Sequence, residues 1–111
     1  MYLHDNIRNF RKFRGLTQEQ LAYALGRSKA VVSNWEHGTN SPDLESCETM
    51  CRIFEVTPNQ LFGWEDNPEY LQWLEHNKQL EIELEKLKQE REAMDKRIQE
   101  YTKRIASVKK D

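Results

Sequence analysis

From Glu69 to Asp111 the chain contains neither glycine nor proline. From Tyr70 onward its core-type positions advance by alternating steps of three and four residues. The series runs Tyr70, Trp73, Asn77, Leu80, Leu84, Leu87, Arg91, Met94, Ile98, Tyr101, Ile105 and Val108. Such stepping, sustained past about four heptads, specifies a long helix with a coiled-coil stripe. Tyr70, Asn77, Leu84, Arg91, Ile98 and Ile105 take heptad position a; Trp73, Leu80, Leu87, Met94, Tyr101 and Val108 take position d. A lone helix this polar leaves its stripe wet, so a partner stripe is required. The alternative is one solvated helix folded back on the rest of the chain. About 40 residues make about 60 Å of helix, too long for full back-packing on a domain of about 60 residues. Residues 69–111 are therefore expected to be a coiled-coil dimerisation helix, with every position from Trp73 to Val108 in that series at the seam.

Residues 1–62 are built differently. Gly15, Gly26, Gly38, Pro42 and Pro58 punctuate short apolar-periodic segments, and Gly63-Trp64-Glu65-Asp66-Asn67-Pro68 is a turn-rich break. The expected organisation is a domain over 1–62, a linker over 63–68 and the helix over 69–111. With 37% hydrophobic residues, four Gly and three Pro, the chain points to helices rather than a β-sandwich, and 111 residues are too few for a TIM barrel. No stretch approaches the about 20 apolar residues of a membrane span. Asp5, Arg8 and Arg11 interrupt any signal-peptide core. A soluble cytoplasmic protein with no membrane association is expected. Cys47 and Cys51 are the only cysteines, and they do not make a disulfide framework.

Five short helices are expected in the first region. Leu3, Ile7 and Phe10 share a face of the first, which stops at Gly15. Thr17 caps the second with Gln20 three residues on, as in a capping box, and Leu21, Ala22 and Leu25 face inward. Ser28 caps a third that runs to about His37. Asp43 caps a fourth, with Leu44, Cys47, Met50, Cys51 and Phe54 at helical spacing. Thr57-Pro58 opens a fifth that ends in Leu61-Phe62. Charge is segregated within a formal total of −2. From Arg8 to Asn34, six basic residues oppose Glu19 alone, a net +5; from Asp43 to Glu69, seven acids oppose Arg52 alone, a net −6. A two-signed domain can turn its basic side to a polyanion, although chance segregation on a solvated surface gives the same totals.

The three-residue turn Gly26-Arg27-Ser28 between two short helices has helix-turn-helix spacing. Gly15-Leu16-Thr17-Gln18-Glu19-Gln20-Leu21-Ala22, Gly26 and Val31-Val32-Ser33-Asn34-Trp35-Glu36-His37-Gly38 follow in order. After them come Pro42-Asp43-Leu44 and Phe54-Glu55-Val56-Thr57-Pro58-Asn59-Gln60-Leu61-Phe62. Together they resemble the Cro/cI-type (Xre-like) helix-turn-helix regulators over roughly residues 3–62. The resemblance implies an all-α fold: a five-helix repressor-like DNA-binding domain, here followed by the long C-terminal coiled-coil helix. It also implies a sequence-specific, usually dimeric regulator bound to a double-stranded DNA operator.

In that geometry the third helix enters the major groove. Lys29 can donate to guanine, Asn34 can pair with adenine, and Ala30 can touch a thymine methyl. The resemblance places all three among the base-reading positions. Thr17 and Gln18, at a helix N-terminus, suit backbone phosphate; Thr17 can be cap and phosphate ligand together. Arg27, Ser28, Ser33, His37, Thr39 and Asn40 are the further backbone candidates. Trp35 is expected to cover the core beside Val32. Arg11 and Glu36 stand where some relatives form a structural ion pair, so Arg11 reads as scaffold before phosphate ligand.

Cys47 and Cys51 read as core thiols, and with His4, His37 and His76 they lack zinc-ligand spacing. No catalytic constellation, Walker loop or dinucleotide fingerprint is present, so no enzyme activity, metal or cofactor is expected. The leading expectation is a transcriptional regulator, most simply a repressor, working as a homodimer through the coiled coil. The alternative is an adaptor or antitoxin-like protein whose coiled coil binds another protein, and a protein antagonist stays open. For the orientation of the coil, Ile98 and Ile105 at a, Leu80 and Leu87 at d, Asn77 at a and one-turn operator spacing favour a parallel pair. The flanking charges favour an antiparallel one; surface pairs carry little energy, and the expectation is parallel.

Overall fold

Thr17, Ser28, Asp43 and Thr57 each end an extended stretch and cap a helix with a side-chain oxygen that accepts a backbone N–H three residues on. The computed structural model describes residues 2–109; Met1, Lys110 and Asp111, which the expected boundaries take in, lie outside the described residues. Its elements are α1 (Leu3–Phe13), α2 (Gln18–Leu25), α3 (Lys29–Glu36), α4 (Leu44–Phe54), α5 (Pro58–Leu61) and α6 (Pro68–Lys109). No strand occurs among the described residues. None of the described helices is long and apolar enough to cross a membrane. The expected capping box at Thr17 and Gln20 is present, and Thr57 with Gln60 forms a second one. Helix α4 closes on Glu55 at φ 57°, a left-handed position where glycine is usual.

The chain divides into two compact units, the first ending at Leu74 and the second beginning at Glu75. In the first, Ile7, Phe10, Leu21, Ala22, Val32, Trp35, Cys47, Met50, Cys51, Phe54, Val56 and Leu61 form the core. Trp35 is buried in it, as expected beside Val32. Leu44 is not part of it: at the first position of α4 it stands 73% exposed, before the helix has turned its apolar face inward. Asn6 is buried instead, and its Nδ2 donates to the Leu61 carbonyl at 2.8 Å, tying α1 to α5.

The first unit also takes in the start of α6. Tyr70 is only 4% exposed and sits 4.7 Å from the Phe10 ring and 5.7 Å from the Phe13 ring, centroid to centroid. Trp73 packs 5.4 Å from Phe13 and 5.9 Å from Tyr70, and Leu74 is half-buried against the same cluster. Asn67 caps this stretch by accepting the Tyr70 N–H at 2.9 Å. Residues 1–62 therefore lack one of their own packing faces, and Trp73, expected at the seam, is spent on this aromatic cluster. The second unit is the remainder of α6, whose apolar a and d side chains from Leu80 onward are exposed.

Cutting the chain after Phe62 should strip Phe10 and Phe13 of their cover. The fragment should unfold at markedly lower temperature than one ending near Asn77, and Tyr70→Ala in the full chain should cost about 3–5 kcal/mol. Circular dichroism melts measure both.

The Tyr70 hydroxyl is buried with no hydrogen bond of good geometry, although Asn9 lies near it, and burial pushes its pKa up. Burial likewise raises the Cys47 and Cys51 thiols. These groups are neutral when protonated, so above their ordinary values the unfolded chain sheds protons that the folded chain keeps. Stability present at neutral pH should therefore decline as pH climbs past about 8.5 and again past about 10. Urea unfolding across that range should show the decline, with the upper part missing in Tyr70→Phe.

Candidate nucleic-acid interface

The turn between α2 and α3 is made by Gly26 at φ 66°, which lets the Arg27 N–H return to the Ala22 carbonyl at 2.9 Å. Ser28 Oγ then accepts the Val31 N–H at 3.3 Å and starts α3. Helix α3 buries Val32, Trp35 and Glu36 and leaves Lys29, Ala30, Asn34 and the following His37 exposed. Ser33 is half-buried between these two faces.

Glu36 holds this helix in place. It is 2% exposed and receives Arg11 at both oxygens, Nε to Oε2 at 2.7 Å and Nη2 to Oε1 at 2.9 Å. The third donor of the fork, Nη1, reaches the Leu16 carbonyl at 2.8 Å, just before α2. Gln18 Nε2 adds a third donation to Glu36, at Oε1 and 3.2 Å. One bidentate pair thus joins α1, the entry to α2 and the end of α3. Arg11 is scaffold.

The remaining candidates keep capacity for a ligand. Thr17 Oγ1 accepts the Gln20 N–H at 3.1 Å, and Ser28 Oγ accepts that of Val31, so each hydroxyl retains its own proton to donate. Gln18 spends one of two amide protons on Glu36. Lys29 lies 3.7 Å from Glu19 and Arg27 3.2 Å from Asp43, all four side chains well exposed, so both pairs exchange at little cost. Asp43 is held below its ordinary pKa, first by the Ser46 hydroxyl and only lastly by Arg27. His37 Nδ1–H donates to the Ser33 carbonyl at 2.7 Å, with Ser33 Oγ at 3.4 Å. Its Nε2 can therefore donate outward only when the ring is protonated. Thr39 and Asn40 are exposed in the loop after Gly38.

The basic segment is less free than its sequence total suggests. Besides Arg11, Arg14 is inward-committed: its Nε donates to the Phe54 carbonyl at 2.6 Å at the end of α4, and its guanidinium lies over the Phe13 ring. Arg8 pairs with Asp5 at 3.0 Å. No sequence signal marked Arg14; its task depends on where α4 ends in space. Cys47 and Cys51 are buried free thiols.

The helix-turn-helix signature HTH_3 matches residues 7–61. An HTH-type transcriptional regulator of Archaeoglobus fulgidus is 31% identical over 64 residues, which make up 58% of this chain and 91% of that protein. The chain belongs to the helix-turn-helix family of transcriptional regulators. The HTH-type transcriptional activator BcrR of Enterococcus faecalis is 35% identical over 66 residues, 60% of this chain and 32% of that protein. The chain spans about a third to three fifths of the length of several curated relatives it matches. Among solved structures, the P22 c2 repressor in complex with a synthetic operator shares the fold, with a TM-score of 0.53 at 24% identity over 56% of this chain and 94% of that one.

Removing the carboxylate from this family member should leave Arg11 and Gln18 without their partner. Glu36→Ala should lower stability by about 3–5 kcal/mol, while Glu19→Ala, at the exposed pair, should change it by less than about 1 kcal/mol. Equilibrium urea denaturation distinguishes the two.

Proposed function

We propose that this chain is a sequence-specific DNA-binding transcriptional regulator, cytoplasmic and homodimeric, with α3 lying in the major groove. The observation that carries the reading is the division of α3 into two faces. Its inner face is locked by Glu36, and its outer face presents Lys29, Ala30 and Asn34 without competing structural duties beyond one weak surface pair. A rigid helix with a fork-reading amide, a cation and a methyl on one face matches what base edges in the major groove offer. Thr17, Gln18, Ser28 and Arg27 flank that face at the starts of α2 and α3, where backbone N–H groups and side-chain donors suit phosphate. Ser33, His37, Thr39 and Asn40 extend the same role past the other end of α3. The likeness to a repressor solved on its operator supports this docking.

The simplest mode is repression, because a dimer seated over a promoter blocks it by occupancy alone. BcrR is named an activator, so the sign of regulation is a property to be read from a promoter assay. The role proposed here has no bond-making step and needs no cofactor.

A duplex selected from a random pool would supply the site. On that duplex Lys29→Ala and Asn34→Ala should each lose about 1–3 kcal/mol of binding and relax preference at one base pair. Asn40→Ala should weaken all sequences evenly and leave the salt dependence unchanged, because a neutral amide neutralises no phosphate. Fluorescence anisotropy against matched and mismatched duplexes reads these outcomes; unchanged base preference in both α3 variants would remove α3 from the groove.

A further inference from the structure

Tyr70 and Trp73 are spent inside the first unit, so any seam between two copies must be built from Asn77 onward. From Leu80 to Val108 each apolar a and d side chain stands between 48% and 74% exposed. Arg91, also exposed, interrupts the stripe near its middle at an a position. These facts change the balance between the two orientations.

In a parallel pair every layer meets its own copy. Arg91 then faces Arg91 inside the stripe, two guanidiniums in one layer. Of the flanking charges, Glu83 meets Lys88 favourably while Glu90 meets Asp95. In an antiparallel pair an a residue packs beside a d residue. Centred between Arg91 and Met94, this sets Arg91 beside Met94, Leu87 beside Ile98 and Leu80 beside Ile105 of the other copy. Glu83 then meets Arg104, Glu90 meets Arg97 and Lys88 meets Asp95, each twice by symmetry. The register is specific as well. Slipping one heptad in one direction brings Glu90 against Glu90, and in the other Arg97 against Arg97. The Arg104 guanidinium now bonds Glu100 of its own helix at 2.8 Å, both exposed, so Glu83 of a second copy can share it at little cost.

We propose that residues from Asn77 onward pair with a second copy of this chain as an antiparallel coiled coil centred between Arg91 and Met94. This rests on the homodimer reading above and reverses the parallel orientation expected from the sequence. Two of its causes lie in the layers: those of Tyr70 and Trp73 are absent from the seam, and Arg91 shares its layer with Met94 while its own copy stands one layer away, about 4.5 Å along the axis. The third is the six attractive flanking pairs. The two chains enter the seam from opposite ends.

Charge reversal separates the orientations, because Glu90→Arg has opposite signs in the two. It turns the antiparallel Glu90–Arg97 attraction into repulsion, so dimerisation should weaken roughly tenfold in sedimentation equilibrium, and Arg97→Glu in the same chain should restore it. In a parallel pair the same substitution relieves Glu90–Asp95 and tightens the dimer. A second readout is covalent. Chains carrying Leu80→Cys mixed with chains carrying Ile105→Cys should form the mixed disulfide on mild oxidation, with linkages mapped by mass spectrometry to exclude Cys47 and Cys51. A Leu80→Cys homodisulfide together with tightening by Glu90→Arg would overturn the orientation and leave the homodimer standing. A full chain that sediments as a monomer would overturn both.

Discussion

The Arg11–Glu36 pair is the contact on which the arrangement of the helix-turn-helix depends. A buried carboxylate is costly on its own, and it is held here by both forks of a guanidinium and by Gln18. The pair's value lies in geometry more than in net energy. Three donors from one planar group fix α1, the Leu16 carbonyl before α2 and the last turn of α3 to one another. A lysine in place of Arg11 has the charge but no rigid fork, and would leave the orientation of α3 to Val32 and Trp35 alone. The base reading proposed for α3 tolerates little rotation of the helix, because its side chains would have to meet donors and acceptors at hydrogen-bond distance.

That arrangement costs the basic segment part of its charge. Arg11 and Arg14 both lie in the stretch with net +5, and both are directed inward, Arg14 onto the Phe54 carbonyl where α4 ends. A cation at a helix C-terminus complements the exposed carbonyls there. Charge counted along a sequence therefore overstates the charge offered to a polyanion. The exposed cations Lys29 and Arg27 are held only by surface carboxylates and are free to change partner.

Local rules were legible in the sequence and partner choice was not. Thr17, Ser28 and Asp43 were readable as caps because a capping oxygen acts within three residues, and Gly26 because a left-handed turn has one favoured occupant. Lys29 and Asn34 could be placed on an outer face from the helix-turn-helix geometry that the resemblance implies. Tyr70 and Trp73 both continue the heptad series, and that spacing alone put Trp73 at the expected seam. Periodicity identifies an apolar face and says nothing of what covers it. Phe13, half-buried on α1, is the aromatic whose ring Tyr70 and Trp73 cover. Asn6 was missed for the converse reason, since a polar residue on a buried face looks solvated until a carbonyl such as that of Leu61 is found beside it.

The polar positions in the proposed seam have a consequence for regulation. Asn77 and Arg91 occupy core positions where an apolar side chain would bind more tightly. In the antiparallel register Asn77 meets Val108 near the ends of the seam, where water reaches its amide, while Arg91 extends past Met94 with its stem covered and its head wet. Both layers weaken association without breaking the stripe. If the proposed homodimer is of moderate strength, its operator would help assemble it: each chain bound to one half-site raises the effective concentration of the second. Occupancy then rises more steeply than the first power of protein concentration. A seam made wholly of leucine and isoleucine would saturate as a dimer at low concentration and lose that steepness.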